Sequence, residues 1–166
     1  MTFKQTLSDE LKQLAGFQSD QPRTVALSTD GGIEIFVDFT AVDSMSCSVR
    51  EIRLDVPSID SQDFDTLKAW AERLSDRITY LMENIGPLEF DPDGKKVLIR
   101  STPPDKSDDE TRFYEVLLQT NPSGSFSLRR FKSSNGQPGR QPVDIQVTHE
   151  VLSKLVSDLV DTAPVA

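Results

Sequence analysis

Few side chains in this chain could do chemistry, and their neighbours decide how far each can be taken. His149 is the only histidine and Cys47 the only cysteine. A lone histidine has no partner for a zinc site, and no Asp or Ser beside it spells a triad. Cys47 falls in a strand-like run, where a small buried apolar group is expected rather than a nucleophile. Asp91-Pro92-Asp93-Gly94 resembles the start of a calcium loop. Its glycine comes two positions early, however, and no Glu holds the twelfth place. Asp30-Gly31-Gly32 is followed by a strand, not by the helix a phosphate cradle needs. Ser107-Asp108-Asp109-Glu110 reads as a solvated acidic loop. Arg129, Arg130 and Lys132, interleaved with Phe126 and Phe131, form a small basic patch of a kind that can hold single-stranded nucleic acid or phosphate. These residues predict no catalytic group, no cofactor and no metal site.

The elements that would position them follow from periodicity. Phe64, Leu67, Ala71, Leu74, Ile78, Leu81 and Ile85 recur at steps of three and four, which predicts one long amphipathic helix from Asp60 to Pro87. Asp60 or Ser61 would cap it, Gly86 would take the left-handed residue after its last turn, and Pro87 would end it. Roughly 24 helical residues at 1.5 Å each would run about 36 Å. Trp70, Arg73, Arg77, Tyr80 and Asn84 fall beside that stripe, and Trp, Tyr and Arg are the types enriched at binding hot spots.

Before this helix the spacing predicts a short helix over 2–15 stopped by Gly16, a connector over 17–23, and strands over 24–28, 33–41 and 45–56. The last changes parity at Arg50-Glu51, the mark of a bulge or of two separate short strands. After it come strands over 96–101, 111–120, 125–132 and 143–147, with polar loops over 102–110 and 133–142. Thr148 then caps a terminal helix. The order α-βββ-α-ββββ-α, with hairpin-length connections, predicts a two-layer α+β fold: a mainly antiparallel sheet packed by the central and terminal helices. One domain over 1–166 is expected, with halves 1–87 and 88–162.

Charge narrows the partners. The 166 residues carry a formal charge of −9 and a pI near 4.6, which argues against nucleic acid and anionic membrane. The acidity is uneven. From Lys95 to Arg140 nine basic residues stand against five acids, so that segment is +4 and the remainder −13. Such a chain can steer an acidic surface of one copy toward a basic surface of another. The lone Cys47 excludes an internal disulfide and suits a reducing compartment. Met1–Gln13 lacks the apolar run of a signal peptide, so a cytoplasmic protein is expected.

The element order, size and acidity resemble the type III secretion chaperone-like family. Leu88-Glu89-Phe90-Asp91-Pro92-Asp93-Gly94 with Lys95–Ile99 is similar to that family's turn into the strand after its long helix. The resemblance implies a non-enzymatic homodimer, paired through the central helix by Trp70, Arg73, Arg77 and Tyr80, that binds an extended segment of a partner protein of unknown identity. A secretion chaperone-like or regulatory protein-binding module is therefore expected. The alternatives are a small anionic-ligand-binding domain, whose pocket between sheet and long helix would use Arg100, Arg129 or Arg130, and an enzyme of unrecognised class.

Overall fold

The computed structural model describes residues 2–57, 64–81, 85–101, 104–120 and 124–164. Among these the order is α1 (Phe3–Gln13), β1 (Gln18–Ser28), β2 (Glu34–Val42), β3 (Ser46–Asp55), α2 (Phe64–Arg77), β4 (Ile85–Asp91), β5 (Lys96–Ser101), β6 (Asp105–Lys106), β7 (Glu110–Gln119), β8 (Ser125–Ser134), β9 (Gln141–Val143), β10 (Ile145–Thr148) and α3 (His149–Thr162). The α+β class and the broad alternation of helices and strands are as the sequence predicts. All pairings are antiparallel, in the order β1-β2-β3-β8-β7-β5-β4, with β10 on β3, β9 on β8 and β6 on β7.

The helices share one face of this sheet. Leu7 and Leu11 of α1, Leu67, Trp70, Ala71 and Leu74 of α2, and Leu152, Leu155, Val156 and Leu159 of α3 join Ile35, Val37, Ile52, Leu54, Val97, Ile99, Val116, Phe126 and Leu128 in one buried cluster. Each helix brings an apolar stripe at helical spacing, and each strand alternates toward it at period two. Thr2 and Gln5 close a capping box on α1, and Thr148 accepts from Val151 N at the start of α3.

The long helix is corrected. α2 holds 14 residues, about 21 Å at 1.5 Å per residue. Its expected caps at Asp60 and Ser61 lie outside the described residues. Ile78 to Leu81 leave the helix, and Ile85, Gly86 and Pro87 form the start of β4, with Gly86 opposite Arg100. Ile78, Leu81 and Ile85 are buried all the same. Their three-and-four spacing met a burial demand that coil and strand also satisfy. The connector over 17–23 belongs instead to β1, across an irregularity between Gln18 and Arg23. Both predicted loops contain short pairings, β6 and β9.

The parity change at Arg50-Glu51 is a double bulge. Asp38 pairs Glu51, Phe39 pairs Val49 and Ala41 pairs Ser48, so Arg50 and Thr40 are each left without an opposite residue. Below this point β3 pairs β8, and above it β3 pairs β10. The sheet forks there, and β9–β10 fill the opening. Asp144, between them, accepts from Arg50 Nε at 2.8 Å and from Thr40 Oγ1 at 2.9 Å.

Candidate interaction surfaces

The four residues expected to pair two copies serve the inside of this chain. Trp70 has no exposed surface and tilts against Phe126, ring centroids 6.0 Å apart. It has nothing to offer a second copy, so its place in a helix-mediated interface is corrected. Arg73 Nε donates to the Thr162 carbonyl at 3.0 Å, holding the end of α3. Arg77 Nε donates to Asp158 Oδ1 at 3.0 Å and its Nη2 to Asp161 Oδ2 at 3.3 Å. Tyr80 donates its hydroxyl to Asp158 Oδ2 at 2.6 Å.

Lys154 completes the seam, 3.2 Å from the same carboxylate and 4.8 Å from the centre of the Tyr80 ring. Burial pushes the Asp158 carboxyl up, but the Tyr80 hydroxyl, Lys154 and Arg77 outweigh it and hold it below its ordinary value. Burial and the same hydrogen bond push the Tyr80 hydroxyl far up. Sequence reasoning missed Asp158. The available signal was an acid on the inward stripe of α3, between Leu155 and Thr162.

The chemistry-bearing residues are placed as follows. The Cys47 thiol is buried, and burial drives it up to about 12. His149 lies at the start of α3 with Nε2 3.1 Å from the Ser46 carbonyl. Asp43 accepts from Met45 N, Ser46 N and Ser46 Oγ, and these hydrogen bonds hold its carboxyl below the usual range. His149, Asp43 and Ser44 do share a cleft of about 500 Å³ between α1 and α3, with Leu7, Leu11 and Lys12.

The basic patch divides between the two faces. Phe126 is core, Arg130 stacks on the Tyr114 ring of the helix face, and Arg129 stacks on Phe131 of the other face. Arg100 and Arg129 also point away from the helices, so neither lines the space between sheet and helix. Arg100 Nε donates to Glu115 Oε2 at 2.9 Å, and Arg129 Nε is 3.5 Å from Glu51 Oε2.

That second sheet face carries a continuous array of ion pairs and arginine–aromatic stacks. Arg53 bridges Asp38 and Glu51 and stacks on Phe36. Arg100 stacks on Phe113, while Arg140 stacks on Phe131 and pairs with Glu115. Burial raises the Glu115 carboxyl, and Arg140 and Arg100 bring it below its ordinary value. Cross-strand register explains the array: Phe36 opposes Arg53, Glu115 opposes Arg129 and Arg100, and Phe113 opposes Phe131. At the sheet edge, Leu88 and Phe90 of β4 are 54% and 40% exposed.

Compared with protein-family models, with curated proteins and with solved structures, the chain matches none of them. Among the described residues no helix is long and apolar enough to cross a membrane.

Proposed function

We infer that this chain is a non-enzymatic, cytoplasmic protein-binding module, chaperone-like or regulatory, that takes an extended segment of a partner protein alongside β4. The observation that carries this reading is the exposure of Leu88 and Phe90 on the outermost strand of the sheet. An outermost strand offers unpaired N–H and C=O groups as a template for another strand. Pro87 supplies no N–H, which favours pairing along Leu88–Asp91.

The side chains set what the segment should be. Phe90 lies on the helix face, with Lys68 Nζ 5.5 Å from its ring centre, while Glu89 and Asp91 oppose Leu98 and Lys96 on the other face. A segment alternating apolar and basic residues complements both. In a complex with a partner captured from the native cell, hydrogen exchange should slow at the β4 amides and not at those of β1, the other sheet edge. Leu88→Asp and Phe90→Asp should each weaken capture at least about tenfold. Undiminished capture by both, with β4 unprotected, overturns the reading.

The α1–α3 cleft supports a second reading, a small anionic-ligand-binding domain, through Lys12 and His149, which line it together with the carboxylates of Asp43 and Glu150. Its volume lies within the usual range for ligand pockets. A melting-temperature rise with one anionic metabolite, abolished by Lys12→Ala, is its test.

A further inference from the structure

The second sheet face is divided by charge along the β3–β8 boundary. On β1, β2 and β3 the outward carboxylates are Glu34, Asp38, Glu51 and Asp55, against two guanidiniums, Arg53 and the bulged Arg50, which is itself paired with Asp144. On β8, β7 and β5, with the adjoining turn, the outward cations are Lys96, Arg100, Arg129 and Arg140, against one carboxylate, Glu115, while Glu89 and Asp91 of the outermost β4 return acid to the far edge of this face. Between the charged rows runs an apolar one. Ala26, Phe36, Leu117 and Leu98 stand at one height across the sheet, interrupted only by Arg53 and Ser127 at the centre. Ala26 is exposed, and Phe36, Leu117 and Leu98 are half-buried.

We propose that this face binds a second copy of the same chain, about a two-fold axis parallel to the strands between β3 and β8. That axis lays the acidic half of one copy on the basic half of its partner. In the aligned packing of two sheets it brings Phe36 toward Leu117, Ala26 toward Leu98 and Glu51 toward Arg129 across the interface. Asp38 and Glu115 are the one like-charged meeting, and each arrives with its own arginines, Arg53 for the first and Arg100 and Arg140 for the second.

Six strands at about 4.8 Å and five residues at about 3.4 Å cover about 500 Å² per copy, so about 1,000 Å² in all, the lower end for a specific interface. β4 lies beyond the overlap. The proposal therefore goes beyond the β4 reading, and either can fail without the other.

The test is a charge swap on the full chain. By sedimentation, wild type should dimerise, with affinity falling at least about tenfold between about 25 mM and 500 mM salt. Arg129→Glu and Glu51→Arg should each weaken the dimer at least about tenfold, because each sets like charges across the axis twice. An equimolar mixture of the two variants should recover an affinity within about threefold of wild type. Loss of the intrachain Arg129–Glu51 pair cannot produce that recovery.

Should either variant fail to fold, Ala26→Arg at an exposed position should weaken the dimer instead. A wild type still monomeric at about 100 µM in low salt overturns the proposal. So does a dimer that none of these substitutions weakens, or a mixture that regains nothing.

Discussion

Asp158 keeps its charge inside the α2–α3 seam because Arg77, Tyr80 and Lys154 all donate to it. Tyr80→Phe removes one donor from a buried carboxylate and should cost about 1–3 kcal/mol in urea unfolding. The pH dependence has a definite sign. A carboxyl held below its ordinary value of 3.8 contributes stability that is whole above that value and is lost as pH falls through the lower folded value. Asp158→Asn should therefore flatten the acid limb of the stability curve below about pH 4.

Cys47 behaves oppositely. The unfolded thiol ionises near 9, the folded one only near 12, so stability falls as pH rises across that window. At pH 8 a thiol reagent should label Cys47 only as fast as the chain unfolds. The residues that stabilise the seam were visible in the sequence as types, but their destination was not. Trp70 lies three residues from Leu67 and four from Leu74, inside the true buried stripe of α2. It looked peripheral only because Ile78, Leu81 and Ile85 were averaged into one longer helix. Trp70→Ala should cost about 3–5 kcal/mol through the cavity beside Phe126.

At the scale of elements, alternation and turn chemistry made most of the strands legible, along with the irregularity at Arg50 and the Thr148 cap of α3. What pattern could not supply was partnership across long separations. Nothing near Asp144 in sequence points to Thr40 or Arg50, about a hundred residues away, yet these three hold the fork of the sheet together. Asp144→Ala should cost about 1–2 kcal/mol, and hydrogen exchange should quicken at β9 and β10 more than at β7. The β4 edge was hidden for a different reason: Gly86-Pro87 reads equally as a helix stop and as an edge strand, and only the pairing of Pro87 with Ile99 decides between them.

For the molecule as a whole, the two halves of the sequence meet in a single sheet and a single buried cluster, through β3 on β8. Unfolding should therefore be one cooperative transition. Trp70, the only tryptophan, reports from the middle of the shared core. Its fluorescence and the far-ultraviolet circular dichroism should give coincident urea midpoints. The uneven charge of the chain was also legible from composition, but its division along the β3–β8 boundary needed the register of six strands.

The fork also bears on how the chain reaches this state during synthesis. Ser46–Val49 of β3 wait for Ile145–Thr148, made about a hundred residues later. Until then one side of β3 has no neighbour along that stretch, and Asp144 has not arrived to hold the bulged residues. Contacts so distant in sequence slow folding. The growing chain thus carries an open seam beside β3 until β10 has been made, and only that later segment can close it.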